Sequence, residues 1–330
     1  MYKIYADEKR IFLDNWNAAY GNKILHVLFL INLAEKKQRK PVMYKGSNLD
    51  SLFNFNFETI DIEELPVKKY YFIEKDSFYI QNSILKYLNF YYSIYNLNLD
   101  SVILNTYKSF LEKEYLLNNR ILPNEEIKIR GLFWDYDLMP KKKIFDKYIS
   151  IRPEITDYIE NKYPNISDSN NVGVHFRGTD FNGFMGHLFP NGIKLDKDYY
   201  LQAIESIESK IGTNITYHLF SDSIDFLRPI FENKQVIIHN DSPIQDWVSL
   251  YSLKNVIQSN SSYCWTASLF NKEISLQPKY GLNYYLKSGS YPFGFMQNNS
   301  KVIESDLVVN QDKYYSYKFI AKRLINKVLK

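Results

Sequence analysis

The sequence predicts an α/β protein of two domains, the second built on a parallel sheet. Three observations carry this. From residue 172 onward, short apolar runs of strand length alternate with segments of helical period, the order expected of parallel strands joined by crossover helices. A length of 330 residues exceeds what one hydrophobic core usually supports. A short, polar, turn-rich stretch from Pro164 to Asn171 breaks the pattern and is the expected linker, giving domains of 1–164 and 165–330.

The elements follow in order. Tyr20-Gly21-Asn22-Lys23 reads as a short glycine loop. It opens a helical run in which Ile24, Leu25, Leu28, Ile31 and Leu33 supply an apolar face, and the basic exit from Lys36 to Lys40 complements the helix dipole. Pro41 to Tyr44 is the next strand, so loop, helix and strand follow the order of a βαβ unit. The aromatic-rich region from Asp50 to Asn124 is read as helical, Ile127 to Trp134 as a strand, and Lys147 to Tyr163 as helix apart from Pro153. Past the linker come strand 172–177, a long loop to Lys197 and helix 198–211, then strand 215–220, a turn at Ser221-Asp222-Ser223 and a helix. Strand 235–239, helix 244–253, strand 254–258, the loop Asn260-Ser261-Ser262 and another helix complete the alternation. Gln311 to Lys330 is a basic amphipathic helix expected to pack back on the first domain.

Apolar residues make up 45% of the chain and aromatic residues 17%, enough for packed cores. The net charge of +4 arises from 41 basic and 37 acidic residues spread along the sequence, a mild balance that gives no case for non-specific nucleic-acid binding and leaves room for a small anionic ligand. The N-terminal stretch Met1 to Asp7 carries charge where an export signal needs an apolar core. The most apolar window, Ile24 to Ala34, is shorter than the roughly 20 residues of a membrane span, so no transmembrane segment is expected and only peripheral membrane association is left open. One cysteine, Cys264, allows no internal disulfide and fits a reducing cytoplasm, the expected location.

The chemistry concentrates where expected strands end. Val172, Val174 and Phe176 alternate with Gly173, His175 and Arg177, so one strand face is apolar and the other carries an imidazole and a guanidinium. Gly178, Thr179 and Asp180 end that strand. Ligands of open α/β sheets bind beyond the carboxyl ends of the strands, and a planar guanidinium fixed there grips phosphate oxygens through two bonds. The plainer alternatives are a salt bridge for Arg177 and a satisfied core position for His175. A second strand ends in Ser221-Asp222, a hydroxyl and a carboxylate suited to a guanine edge or simply to capping the next helix. The third junction holds Ser261 and Ser262 at a helix start, where hydroxyls and free N–H groups suit an anion. Asp135 and Asp137 have acid-x-acid metal spacing, read as accidental because these loops already provide for phosphates; no cysteine–histidine cluster has zinc spacing, so no metal site is expected.

The order of these pieces resembles the bacterial α1,2-fucosyltransferases. The resemblance rests on Gly21-Asn-Lys-Ile-Leu-His, Gly131-Leu-Phe-Trp-Asp-Tyr, His175-Phe-Arg-Gly-Thr-Asp, Phe220-Ser-Asp, Asp246-Trp-Val-Ser-Leu-Tyr and Ser259-Asn-Ser-Ser-Tyr-Cys-Trp-Thr-Ala-Ser-Leu, and spans about residue 15 to about residue 285. It implies a GT-B fold, two Rossmann-like domains facing across a cleft, and an inverting transfer of fucose from GDP-β-L-fucose to a glycan hydroxyl, with no metal or other cofactor. Residue by residue it implies that Arg177 binds the pyrophosphate, that His175 lines the donor pocket, and that Asp222 with Ser221 meets the guanine. Ser261 and Ser262 would hold phosphate, Asn22 would face the reacting centre from the first domain, and Gly21 and Lys23 beside it would belong to the donor site. Asp180 is the candidate general base, with a water-assisted route as the alternative. The chain departs from the family at Gly178, where a second arginine is usual, at Thr179 for glycine, at Phe181 for tyrosine, at Lys23 for glutamine, and at Trp265-Thr266 for paired tryptophans. Lys23 is the candidate replacement for the missing charge. Another nucleotide sugar or linkage, or a binding protein without turnover, are the alternative readings.

Overall fold

The structure is a computed structural model that describes residues 3–6, 10–14, 19–36, 38–61, 71–72, 127–128, 139–178, 195–270, 272–278 and 300–303. In chain order the first part carries β1 (Lys3–Ala6), β2 (Arg10–Asp14), α1 (Tyr20–Lys36), β3 (Lys40–Tyr44), β4 (Phe53–Phe55) and β5 (Glu58–Ile60). Then come β6 (Tyr71–Phe72), β7 (Ile127–Lys128), α2 (Lys142–Tyr148), β8 (Ile149–Ile151) and α3 (Pro153–Lys162). Strands β1, β2, β3 and β5 form one sheet in that order; β2 runs parallel to β3, so α1 is the crossover of a βαβ unit, as its sequence pattern predicts.

The second part begins with β9 (Asn171–Phe176), α4 (Lys197–Ile211), β10 (Thr216–Ser221), α5 (Ile224–Leu227) and β11 (Gln235–Ile238). It continues through α6 (Pro243–Ser252), β12 (Asn255–Ile257), α7 (Ser262–Ala267), β13 (Ile274–Pro278) and β14 (Ser300–Ile303). Its six strands lie in the order β11-β10-β9-β12-β13-β14, every neighbouring pair parallel. The chain therefore winds outward from β9 to one edge, returns, and winds outward from β12 to the other. The reversal between β9 and β12 is the topological switch point where such sheets open a crevice.

All six residues of β9 are buried, because helices cover both faces of the sheet. Val172, Val174 and Phe176 join Tyr199, Ala203 and Ile207 of α4 in one cluster. On the opposite face the helix packs closely over Gly173: a Cβ there would stand 3.0 Å from Leu253 Cδ1 and 3.2 Å from Leu250 Cδ2. Local signals set the helix ends. Asp196 caps α4 by accepting from the Tyr199 amide and Gly212 ends it at φ 85°, while α6 starts with Pro243 inside a Ser242/Gln245 capping box.

The second cluster joins the two parts of the chain. Leu25, Leu28 and Phe29 of α1, Phe145 of α2 and Ile155 and Ile159 of α3 share a buried core with Trp247 and Leu250 of α6 and Trp265 of α7. Helix α3, which precedes the expected linker, reaches past it: the Lys162 ammonium and the Tyr158 and Tyr163 hydroxyls all donate to Asp241.

Several sequence expectations need correction. Tyr20 to Lys23 is the first turn of α1, with Asn22 and Lys23 amides both directed at the Ala19 carbonyl, and not a loop before it. The helix expected from Lys147 to Tyr163 is divided by β8, whose Ile149-Ser150-Ile151 pairs antiparallel with β4 some hundred residues earlier; that distant partner overrides the local helical pattern. Within the region read as helical from Asp50 to Asn124, residues 53–55 and 58–60 are strands; most of the remainder lies outside the described residues. So do the end of the Ile127–Trp134 strand and the expected Gln311–Lys330 helix.

Candidate functional site

The carboxyl ends of β10, β9 and β12 bring together three of the groups marked in the sequence. Two phenols from one turn of α4 hold this rim. Tyr200 donates its hydroxyl to the His175 carbonyl at 2.9 Å and Tyr199 to the Gln258 carbonyl at 2.6 Å, so the last peptides of β9 and β12 are pinned on either side of the switch point.

Arg177 leaves β9 at this edge with its side chain 38% exposed. Its Nε lies 3.3 Å from Asp222 Oδ2, while Asp222 Oδ1 accepts from the Gly178 amide at 2.8 Å. The register of β10 on β9, Ser221 opposite Phe176, is what brings the two loops together. Asp222 thus orients the guanidinium and closes the turn that follows it. Ser221 Oγ accepts from the Ser223 amide at 2.8 Å, a local turn bond. Gly178 has no space for a side chain: a Cβ would meet Phe176 Cε1 at 2.7 Å and Ser223 Cβ at 3.0 Å. The second arginine usual in the resembled family has no room on this backbone. Asp180 lies outside the described residues, as do Asp135 and Asp137.

His175 is buried toward the neighbouring β12, with Nδ1 2.7 Å from Ser259 Oγ and its ring 5.6 Å from that of Tyr263. Burial, reinforced by the Arg177 charge, pushes its pKa down to about 3, so it is neutral at ordinary pH. Ser261 caps α7 by accepting from the Tyr263 amide, and Ser262 begins the helix with its side chain half-buried. Cys264 is buried behind them and its thiol is pushed up to about 11 by that burial, an inert position.

Helix α1 docks directly on this junction. A Cβ on Gly21 would lie 2.3 Å from the Tyr263 nitrogen and 2.6 Å from the Ser262 carbonyl carbon, so only glycine allows the two backbones to meet here. Asn22 follows with its Oδ1 buried and without a hydrogen-bond partner among the described residues. Lys23 turns elsewhere: its ammonium donates to the Ser47 carbonyl at 2.9 Å.

A further set of groups, to which the sequence reading gave no role, lies after β11. Asp246, at the start of α6, has a buried Oδ1 without a hydrogen-bond partner among the described residues, and burial together with the Asp241 charge pushes its pKa up to about 7. His239 Nδ1 stands 3.9 Å from that oxygen. The run His239-x-Asp241-x4-Asp246 directly after an expected strand was the signal available in the sequence. His239, Asp241 and Asp246 have ion-ligand spacing, yet the Asp241 oxygens are already taken by Lys162, Tyr158 and Tyr163, and we assign no cation there.

Residues 50–279 match the sequence profile described as glycosyl transferase family 11. The chain belongs to glycosyl transferase family 11. The family-11 match makes the protein a glycosyltransferase and bears out the resemblance drawn from the motifs. Fucosyltransferase NodZ from Bradyrhizobium superposes at a TM-score of 0.50 with 14% identity, covering 76% of this chain and 88% of that one, which carries the GT-B fold. NodZ α-1,6-fucosyltransferase soaked with GDP-fucose, at 14% identity, gives 0.46 over 76% of this chain and 88% of that one. POFUT1 in complex with GDP, also 14% identical, gives 0.42 over 79% and 95%. A search of curated proteins gives no match. Among the described residues of this family-11 chain, no helix is long and apolar enough to cross a membrane.

Proposed function

We propose that the protein transfers fucose from GDP-fucose to a glycan hydroxyl, inverting the anomeric centre to give an α1,2 linkage without a metal ion. Residues 165–330 bind the donor, residues 1–164 form the acceptor side, and the reaction takes place in the cytoplasm. The observation that carries the reading is Arg177, held by Asp222 at the carboxyl end of β9 beside the switch point, in a chain of family 11.

As the glycosidic bond breaks, negative charge builds on the leaving diphosphate. A guanidinium already oriented by a carboxylate meets that charge without reorganising, the condition under which electrostatic stabilisation of a transition state is largest. Ser261 and Ser262 line the same rim, and neutral His175 adds no competing charge. Asn22, brought there by the Gly21 contact, faces the donor with an amide oxygen that has no hydrogen-bond partner among the described residues. Asp222 belongs to the donor site through Arg177; with both oxygens engaged it is less suited to the guanine edge than Asp246, whose Oδ1 has no hydrogen-bond partner among the described residues. Guanine offers adjacent N–H donors that a carboxylate accepts as a pair. Asp180 takes the acceptor proton.

The test is a panel of GDP- and UDP-sugars offered with and without a β-galactoside acceptor, in EDTA and in added manganese. GDP-fucose alone should be consumed, at equal rates with and without chelator, and proton coupling in the product should show the α anomer. The space denied at Gly178 makes another GDP-sugar the specific rival. Consumption of that sugar in place of GDP-fucose overturns the donor assignment, no release from any donor overturns turnover, and activity only with manganese overturns metal independence.

A further inference from the structure

We infer that His239 is a positioning residue for base recognition: its Nδ1–H, aimed at Asp246, holds that carboxylate in the ionised form that the N–H edge of a guanine nucleotide requires. This rests on the proposed role of Asp246 in the donor site and adds the group that governs it.

The geometry fixes the imidazole completely. His239 has a fully buried side chain, clasped between the Tyr163 ring at 4.2 Å and the Phe220 ring at 4.0 Å, so its plane cannot rotate. Its Nε2 lies 2.8 Å from His218 Nδ1. Its Nδ1 and Asp246 Oδ1 are both buried, both lack a hydrogen-bond partner among the described residues, and stand 3.9 Å apart. Two hydrogen bonds of about 2.8 Å meeting at a water's near-tetrahedral angle span about 4.6 Å, more than the separation here, whereas a closure of about 1 Å makes the direct bond.

Two neutral rings sharing one hydrogen bond have two proton arrangements. With the proton on His218 Nδ1, His239 accepts at Nε2 and carries its own proton on Nδ1, facing the carboxylate. With the proton on His239 Nε2, a bare Nδ1 lone pair faces Asp246, which is tolerated only if Asp246 is protonated. The tautomer of the ring and the charge of the carboxylate are therefore one variable. The other groups around the pair are Asp241 on the same loop, which opposes ionisation of Asp246, Lys162 from the end of α3, which favours it, Tyr163 beside Lys162, and Tyr263 of α7. Burial drives both histidines toward the neutral form, to about 4 for His218 and about 3 for His239, so neither supplies a positive charge; the Asp241 backbone N–H and the Lys162 charge favour the anion, and the N–H of His239 is the further donor placed to support it.

The experiment is calorimetric titration with GDP across roughly pH 5.5 to 8.5. Ionisation of the β-phosphate is common to all variants and cancels in the comparison. Wild-type affinity should rise with pH through a midpoint. His239→Phe keeps the aromatic sandwich and removes the donor, so its midpoint should move up by about one pH unit and its affinity at the wild-type midpoint fall about fivefold. His239→Asn, which restores an N–H near the Nδ1 position, should return the midpoint to the wild-type value. An unchanged midpoint in His239→Phe, with GDP binding weakened in Asp246→Asn, overturns the role of His239 alone. Undiminished GDP binding in Asp246→Asn overturns the underlying reading of Asp246 as well. Independently of whether these variants fold, long-range proton–nitrogen spectra of the wild-type protein above the midpoint should show His239 protonated at Nδ1; protonation at Nε2 overturns the inference.

Discussion

At the scale of single residues, Arg177 carries the largest expectation. Its side chain is partly exposed and contributes little to the core, so Arg177→Ala should leave the thermal transition near wild type while lowering transfer by at least about a hundredfold, read as product formed under saturating donor. Gly178 makes a sharper test because the family pattern and the local space disagree. Introducing the family's arginine as Gly178→Arg should lose activity and cost about 1–3 kcal/mol in urea unfolding, since its Cβ would enter the Phe176 ring edge and Ser223. A gain of donor affinity in that variant would show that the loop opens to admit the side chain. Arg177 as a strand-end cation was legible from alternation alone. That Asp222 is its salt-bridge partner was not legible, because the pairing depends on which strands are neighbours and in what register.

The helices show what sequence pattern conveys and what it leaves out. The apolar stripe of α1 announced a helix, but no local signal told that Gly21 serves a helix-to-backbone contact and not a loop. Gly21→Ala should push α1 away from the start of α7, costing about 1–3 kcal/mol in urea unfolding and weakening nucleotide binding through displacement of Ser261 and Asn22. Wild-type stability in Gly21→Ala would mean that the two helices separate freely. Helices α4 and α6 were readable because their ends carry strong local chemistry in Asp196, Gly212 and the Ser242/Gln245 box. Strand β8 was not, because three residues paired with a distant partner leave no period to read.

For the whole molecule, the buried imidazoles set the response to acid. His175, His218 and His239 have pKa values pushed below the unfolded value by burial, so between the unfolded pKa near 6.5 and about 3 the unfolded chain binds more protons than the folded one. Stability should therefore be lost as pH falls through that window. Asp246 acts in the opposite sense: its raised pKa makes the folded state the better proton binder between its ordinary value of 3.8 and about 7, so this residue weakens the fold as pH rises across that range. Melting curves of wild type and Asp246→Asn from pH 4 to 8 separate the two, and the variant's gain in melting temperature should grow between about pH 4 and pH 7 and level off above it. An equal gain at every pH would assign the effect to packing. The sheet order was foreshadowed by the alternation beyond residue 172, although β13 and β14 were not foreseen.

The core that runs from α1 through α2 and α3 into α6 and α7 limits how the chain can be cut. A truncation beginning at Asn165 would bare Trp247, Leu250 and Trp265 to water, and such a fragment should be recovered from inclusion bodies when expressed alone and in solution when co-expressed with residues 1–164.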